Sequence, residues 1–440
     1  MPAARRPNIV YIHSHDTGRY VSPYGYEAPT PHLQRLAEGG VVFRDAYSVA
    51  PTCSPSRAAL TTGRYPHEVG MLGLANRGFS LHDYGLHLAP VLGTAGYTTA
   101  LAGVQHVTTD WAEIGYTEVL PIASRDAPDV SAAAVEFLAR RAGSDDGPFF
   151  LDVGFRETHR HFDEADERDD PRWQRPPDPL PDIPEVRDEM AQFRASLRRL
   201  DDGIGTVLEA LDEHGLAEDT LVVCTTDHGL PFPSMKGQLT THGLGVMLLV
   251  RGPGFTGGRV VDAMVSQLDV YPTICVAAGL PAPDGLRGCA LQPLAAGEVD
   301  RLHDAVYGET TFHVAYTPQR ALRTERWVYV RRFEERGSRP ILNEAESPTL
   351  DAMVAHGWSD LPRERELLYD RFLDPNESAN LASDERVRTV LEDLRGRLDA
   401  WMADTDDPLC HGPVAPPPGA RVDDPGPNPV ARQANVVPRG

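Results

Sequence analysis

Strand-length apolar runs, each closed by polar residues and separated from the next by helical pattern, constrain this chain more than any other feature. The first run is Asn8-Ile9-Val10-Tyr11-Ile12-His13, and others fall at residues 97–101, 149–155, 220–225 and 246–250. A helix is expected over residues 30–40, with Thr30 as N-cap and Pro31 in the first turn, and a long one over 188–214. Strands alternating with helices bury both faces of a sheet, which favours parallel pairing. The expected fold is therefore α/β: a large, mixed, mostly parallel sheet sandwiched by helices. From about residue 300 the pattern changes to the short pieces 305–308 and 327–330, then a helix over 385–402. We expect a catalytic α/β domain over residues 1–300, a small C-terminal α+β subdomain over 301–404, and a Pro/Gly-rich tail over 405–440.

In an open sheet of this kind the ligand site lies outside the carboxyl ends of the strands. The residues just after the runs are His13-Ser14-His15-Asp16, Gln105-His106, Glu157-Thr158-His159 and Asp227-His228, and they are expected to converge. The formal net charge of −22 repels polyanions, so no nucleic-acid partner is expected. No apolar stretch reaches the length of a membrane span, and Met1-Pro2-Ala3-Ala4-Arg5-Arg6-Pro7 leads straight into the first run, so a cytoplasmic location without membrane contact is expected. The five cysteines lack any C-x-x-C spacing, and Cys224 and Cys275, inside apolar runs, read as inert core thiols. Cys53, flanked by Pro, Ser and Arg, stands apart.

The segment Cys53-Ser54-Pro55-Ser56-Arg57, followed by Ala58-Ala59-Leu60-Thr61-Thr62-Gly63-Arg64, resembles the sulfatase signature C-x-P-x-R and its T-G helix. Other pieces occur in the family's order. They are the first strand with Thr30-Pro31-His32-Leu33, then Thr225-Thr226-Asp227-His228-Gly229, Lys236 with residues 246–254, and Arg320 to Thr324 with Leu368-Tyr369-Asp370. The likeness covers roughly residues 7 to 402 and looks closest to the N-sulfoglucosamine sulfohydrolase-like branch.

The resemblance implies hydrolysis of a sulfate ester or sulfamate, on a small molecule or a sugar. Cys53 would be oxidised to formylglycine by a formylglycine-generating enzyme, and one hydroxyl of the aldehyde hydrate would attack sulfur. It further implies that Arg57 holds the diol at its helix start, that His106 assists release of sulfate, and that His159 and Lys236 contact sulfate oxygens and protonate the leaving oxygen. Which of these two does which stays open. His242 is a further substrate-binding candidate. One divalent metal ion would be held by His15, Asp16, Asp227 and His228. The family's Asp-Asp is replaced here by His15-Asp16, and imidazole donors favour Mn or Zn, with Ca or Mg as the alternative. His15 is either a ligand or a residue behind the ligands, and His13, on the same strand face, is the alternative to it. Val104 replaces a family lysine in Gly103-Val104-Gln105-His106, removing one sulfate-binding cation.

Two other functions remain open: a phosphonate monoester or phosphodiester hydrolase with the same nucleophile, towards which His15, His228 and Val104 lean, and a non-catalytic binding protein with an unconverted Cys53. The Pro-rich tail leaves a homo-oligomer open.

Overall fold

A computed structural model describes residues 6–144, 146–335, 339–341 and 346–423 of the chain. Eight strands form the large sheet: β1 (Asn8–Ser14), β2 (Val41–Tyr47), β3 (Thr98–Gly103), β4 (Glu118–Val119), β5 (Phe149–Gly154), β6 (Thr220–Thr226), β7 (Leu248–Arg251) and β8 (Arg259–Ser266). Their order is β4-β3-β5-β1-β6-β7-β2-β8. All run parallel except β7, which is antiparallel to both β6 and β2. β1 lies at the centre, with Ile12 opposite Val153 on one side and Cys224 on the other.

Both faces are covered, and the period-two alternation of β1 shows how. Val10 and Ile12 pack with Leu33, Phe137, Leu197 and Ile204 from the helices Pro31–Gly39, Ala127–Arg141 and Pro184–Glu213. Ile9 and Tyr11 face the other way, towards Leu60, Leu92 and Ile274 from Cys53–Thr62, Leu88–Thr94 and Val270–Ala277. A strand buried on both faces reads as a continuous apolar run, which is why this one was legible.

Four more strands, β9 (Val306–Phe312), β10 (Tyr316–Arg323), β11 (Trp327–Arg332) and β12 (Glu366–Asp370), form a second sheet of order β12-β11-β10-β9, antiparallel throughout. Leu398 and Trp401 of the helix Arg388–Asp404 pack with Leu322 and Tyr329 of that sheet.

β2, β4, β8, β10 and β12 were not singled out as strands in the sequence. β2 is interrupted by Arg44 and Asp45, β8 begins on an exposed edge, and β10 carries Gln319, Arg320 and Arg323, all buried. Neither alternation nor an apolar run survives such substitutions. The segment read from its composition as a tail is also tied down in its first half. Val414, Ala420 and Val422 pack against the core, Asp407 pairs with buried Arg320, and Arg77 reaches Asp423 at 2.7 Å. Residues 424–440 lie outside the described residues. Among the described residues no helix is long and apolar enough to cross a membrane.

Candidate active site

The site forms where β1 and β6 end side by side. Asp16 follows β1 with φ of 53°, a left-handed conformation that Asp tolerates. Its backbone N–H donates to Asp227 Oδ1 at 2.8 Å. Asp227 and His228 follow β6 directly. From the opposite face of the sheet the helix Cys53–Thr62 points its first residue at this pair, with extended Thr52 as N-cap. Every residue of that helix is buried, and its free backbone N–H groups favour negative charge beside Cys53.

Cys53 Sγ lies 3.4 Å from His228 Nε2, which is 3.0 Å from Asp16 Oδ1 and 3.8 Å from Asp227 Oδ2. His228 Nδ1–H donates to the Gly229 carbonyl at 3.0 Å, the arrangement that fixes the tautomer of a metal-ligating histidine. Lys236 Nζ is 2.8 Å from Asp16 Oδ2. Arg57 Nη2 is 3.1 Å from Asp227 Oδ2 and 2.8 Å from the Ser14 carbonyl, and its Nη1 donates to His13 Nδ1. His15 Nδ1 lies 3.2 Å from Asp227 Oδ2 without hydrogen-bond alignment. The His15 ring sits between those of His106 and His159, with centroids at 5.5 and 5.6 Å.

Burial lowers the His15 imidazole well below its ordinary value, with Arg57 adding to the effect. Burial, then Arg57, pushes His106 down to about 4, and burial, then Lys236, lowers His159. These rings are neutral at pH 7 and offer lone pairs. In His228 burial opposes the charged form, but Asp227 and Asp16 outweigh it and raise the imidazole to about 9. Burial would raise the Asp16 carboxyl, yet Lys236 and His228 hold it at about 2.

The donor set fits a divalent cation. Ligand atoms of His15, Asp16, Cys53 and Asp227 lie within 4.8 Å of one another. The Nδ1 atoms of His15 and His106 are buried without a hydrogen-bond partner.

Of the residues anticipated from the sequence, Cys53, Arg57, His15, Asp16, Asp227, His228 and Lys236 meet in one cluster, with His106 and His159 beside it. His242 abuts the site through its backbone, which packs against Gly229, while its Nε2 lies 3.2 Å from the Asn376 carbonyl and it lines a neighbouring cleft of about 630 Å³ with Tyr20, Trp173 and Arg194. Val104 donates its backbone N–H to the Gly154 carbonyl at 2.9 Å and offers no cation. Sequence reasoning missed Asp152 and Tyr116, and weighed His13 only as an alternative ligand. The available signal was a charged residue inside the apolar run Phe149-Phe150-Leu151-Asp152-Val153, since a buried charge in a central strand needs a partner.

The sulfatase family model matches residues 7–280, a span that includes Cys53, Asp16, Asp227 and His228. The chain belongs to the sulfatase family and is a sulfuric ester hydrolase. It is 32% identical to human N-sulphoglucosamine sulphohydrolase, over 93% of this chain and 92% of that protein. A solved structure in complex with its substrate D-glucosamine-2-N,6-O-disulfate superposes with a TM-score of 0.72 at 18% identity, covering 93% of this chain and 99% of that one. The phosphonate monoester hydrolase of Agrobacterium radiobacter superposes with a TM-score of 0.66 at 20% identity, covering 91% and 96%. At these identities the two structures share the fold.

Proposed function

We propose that the chain hydrolyses a sulfate ester or sulfamate carried by a sugar, with residue 53 as nucleophile after conversion to formylglycine by a maturation enzyme. The observation that carries this reading is the placement of Cys53 Sγ at the helix start, 3.4 Å from His228, with Asp16, Asp227, Arg57 and Lys236 around them. The sugar comes from the relatives named above.

His15, Asp16, Asp227 and His228 would hold one divalent ion, and the mixed nitrogen and oxygen donors favour Mn or Zn over Ca or Mg. Such an ion supplies a Lewis acid that offsets the charge of the sulfate oxygens. Formylglycine supplies a geminal diol in place of a weakly acidic side chain.

The chain's own residues do the rest. Arg57 holds Asp227 and adds positive charge beside the nucleophile. Lys236, kept cationic by Asp16, attracts the sulfate group and orients it. His159 donates Nδ1–H to the Arg160 carbonyl at 2.6 Å, so in the neutral ring Nε2 carries the lone pair, and it delivers a proton to the leaving oxygen only after taking one up itself. His106, with its unpartnered Nδ1, takes up the proton whose removal lets sulfate depart.

Intact-peptide mass spectrometry of protein from its native host tests the nucleophile: conversion lowers the mass at Cys53 by about 18 Da, and an unmodified thiol argues for a binding protein. Turnover of paired aryl sulfate and aryl phosphonate substrates tests the reaction. Faster hydrolysis of the phosphonate overturns the sulfatase reading in favour of the alternative to which His15 and Val104 lean.

A further inference from the structure

Arg57 is held on two sides. One guanidinium nitrogen faces Asp227 and the Ser14 carbonyl, and the other donates into His13 Nδ1. A ring nitrogen that accepts a hydrogen bond carries no proton, so the proton of a neutral His13 must sit on Nε2. Nε2 lies 2.8 Å from Asp152 Oδ1, and Asp152 Oδ2 accepts from the Tyr116 hydroxyl at 2.6 Å. His13 and Asp152 are 2% and 1% exposed, so no bulk water competes for these bonds.

The backbone makes room for the ring. Gly154 is the residue opposite His13 in the β1–β5 ladder, and a Cβ there would stand 2.6 Å from His13 Cε1. Tyr116, Asp152, His13 and Arg57 thus form a continuous chain that ends on Asp227.

We infer that His13, Asp152 and Tyr116 are positioning residues: Asp152 selects the Nε2–H tautomer of His13, and that tautomer presents the acceptor that aims Arg57 at Asp227 and the nucleophile. The assignment of a reaction to Arg57 rests on the function proposed above, whereas the tautomer does not. With the proton on Nδ1, an N–H would face the Arg57 N–H, and the guanidinium would turn away from the site.

Nitrogen-15 NMR of imidazole-labelled holoprotein, with the His13 signal assigned by its loss in His13→Asn, reads the tautomer directly. The expected result is a neutral Nε2–H form in the wild type, and an Nδ1–H form overturns the inference. Steady-state kinetics of His13→Leu and His13→Asn read the consequence. Leu removes the acceptor, while the Asn side-chain oxygen restores one near the place of Nδ1. His13→Leu is expected to lower kcat by about 10- to 100-fold with KM changed little, and His13→Asn to recover most of it. Equal rates for His13→Leu and wild type, or for His13→Asn and His13→Leu, overturn the inference. Absence of sulfatase turnover in the wild type strikes at the proposed function alone, and the tautomer still decides this one.

Discussion

Lys236 and Asp16, 220 positions apart in the chain, form a buried ion pair in which Nζ lies 3.0 and 2.8 Å from the two carboxylate oxygens. Under the proposed function the pair would join a sulfate-orienting cation to a metal-holding carboxylate, so each binding event would change the other's charge environment.

Replacement of Lys236 by Met leaves Asp16 buried beside Asp227 with less compensating charge. Breaking such a pair costs about 3–5 kcal/mol. In thermal melts with a chelator Lys236→Met is expected to unfold well below the wild type. Manganese should raise its melting temperature by more than it raises that of the wild type, because Lys236 no longer competes for Asp16. Turnover should not return with the metal. Equal stabilisation of both proteins by manganese contradicts this account.

His15→Asp exchanges an imidazole donor for a carboxylate. Oxygen-only donors suit hard cations, so the variant is expected to retain more calcium or magnesium, and less manganese or zinc, than the wild type. Metal content after dialysis against an equimolar mixture measures this, and an unchanged ratio places His15 outside the ligand set.

His67 links the large sheet's helices to the second sheet, and its protonation is expected to contribute stability that is lost on the alkaline side. Nδ1 donates to Glu309 Oε2, while Nε2 lies 3.2 Å from the Thr405 carbonyl. Both ring nitrogens face acceptors. Burial opposes the charge, but Glu309 outweighs it and raises the folded value above 6.5. A raised value means that the folded state holds the proton more tightly. The contribution is full below about pH 6.5 and is lost as pH rises through the folded value. His303 beside Asp269 is raised in the same sense. The urea midpoint should therefore fall from about pH 6.5 upward, less steeply in His67→Gln. An identical slope in the variant removes His67 from the account.

Arg320 and Asp407 are both fully buried, with Nη2 2.9 Å from Oδ1 in a two-pronged contact. Asp407→Ala leaves a buried guanidinium unpaired, at about 3–5 kcal/mol. Because Asp407 anchors the segment that runs on to Asp423, limited proteolysis should cut residues 408–423 faster in the variant. Unchanged cleavage shows that Val414, Ala420 and Val422 hold the segment without it.

The central strands and the site residues at their ends were legible because the code is local. A strand buried on both faces is an apolar run, and the polar residues that break it mark the sheet's carboxyl edge. Cys53-Ser54-Pro55-Ser56-Arg57 likewise carried its family resemblance within five residues. β2, β8 and β10 were not legible, since partners elsewhere in the chain compensate their charged or exposed residues. Asp45 is one such case, ion-paired with Arg371 at 2.7 Å.

The sequence by itself determined the α/β class, the helix start that presents Cys53, and the set of imidazoles and carboxylates that follow the strands. Only the tertiary structure decided that β7 runs against its neighbours, that His242 lines a cleft with Tyr20 and Arg194, and that Asp152 reaches Arg57 through His13. Period-two and period-3.6 patterns are properties of adjacent residues. Hydrogen bonds between positions 139 and 220 apart depend on which strands pair and in what register, and the packing of the whole core sets that.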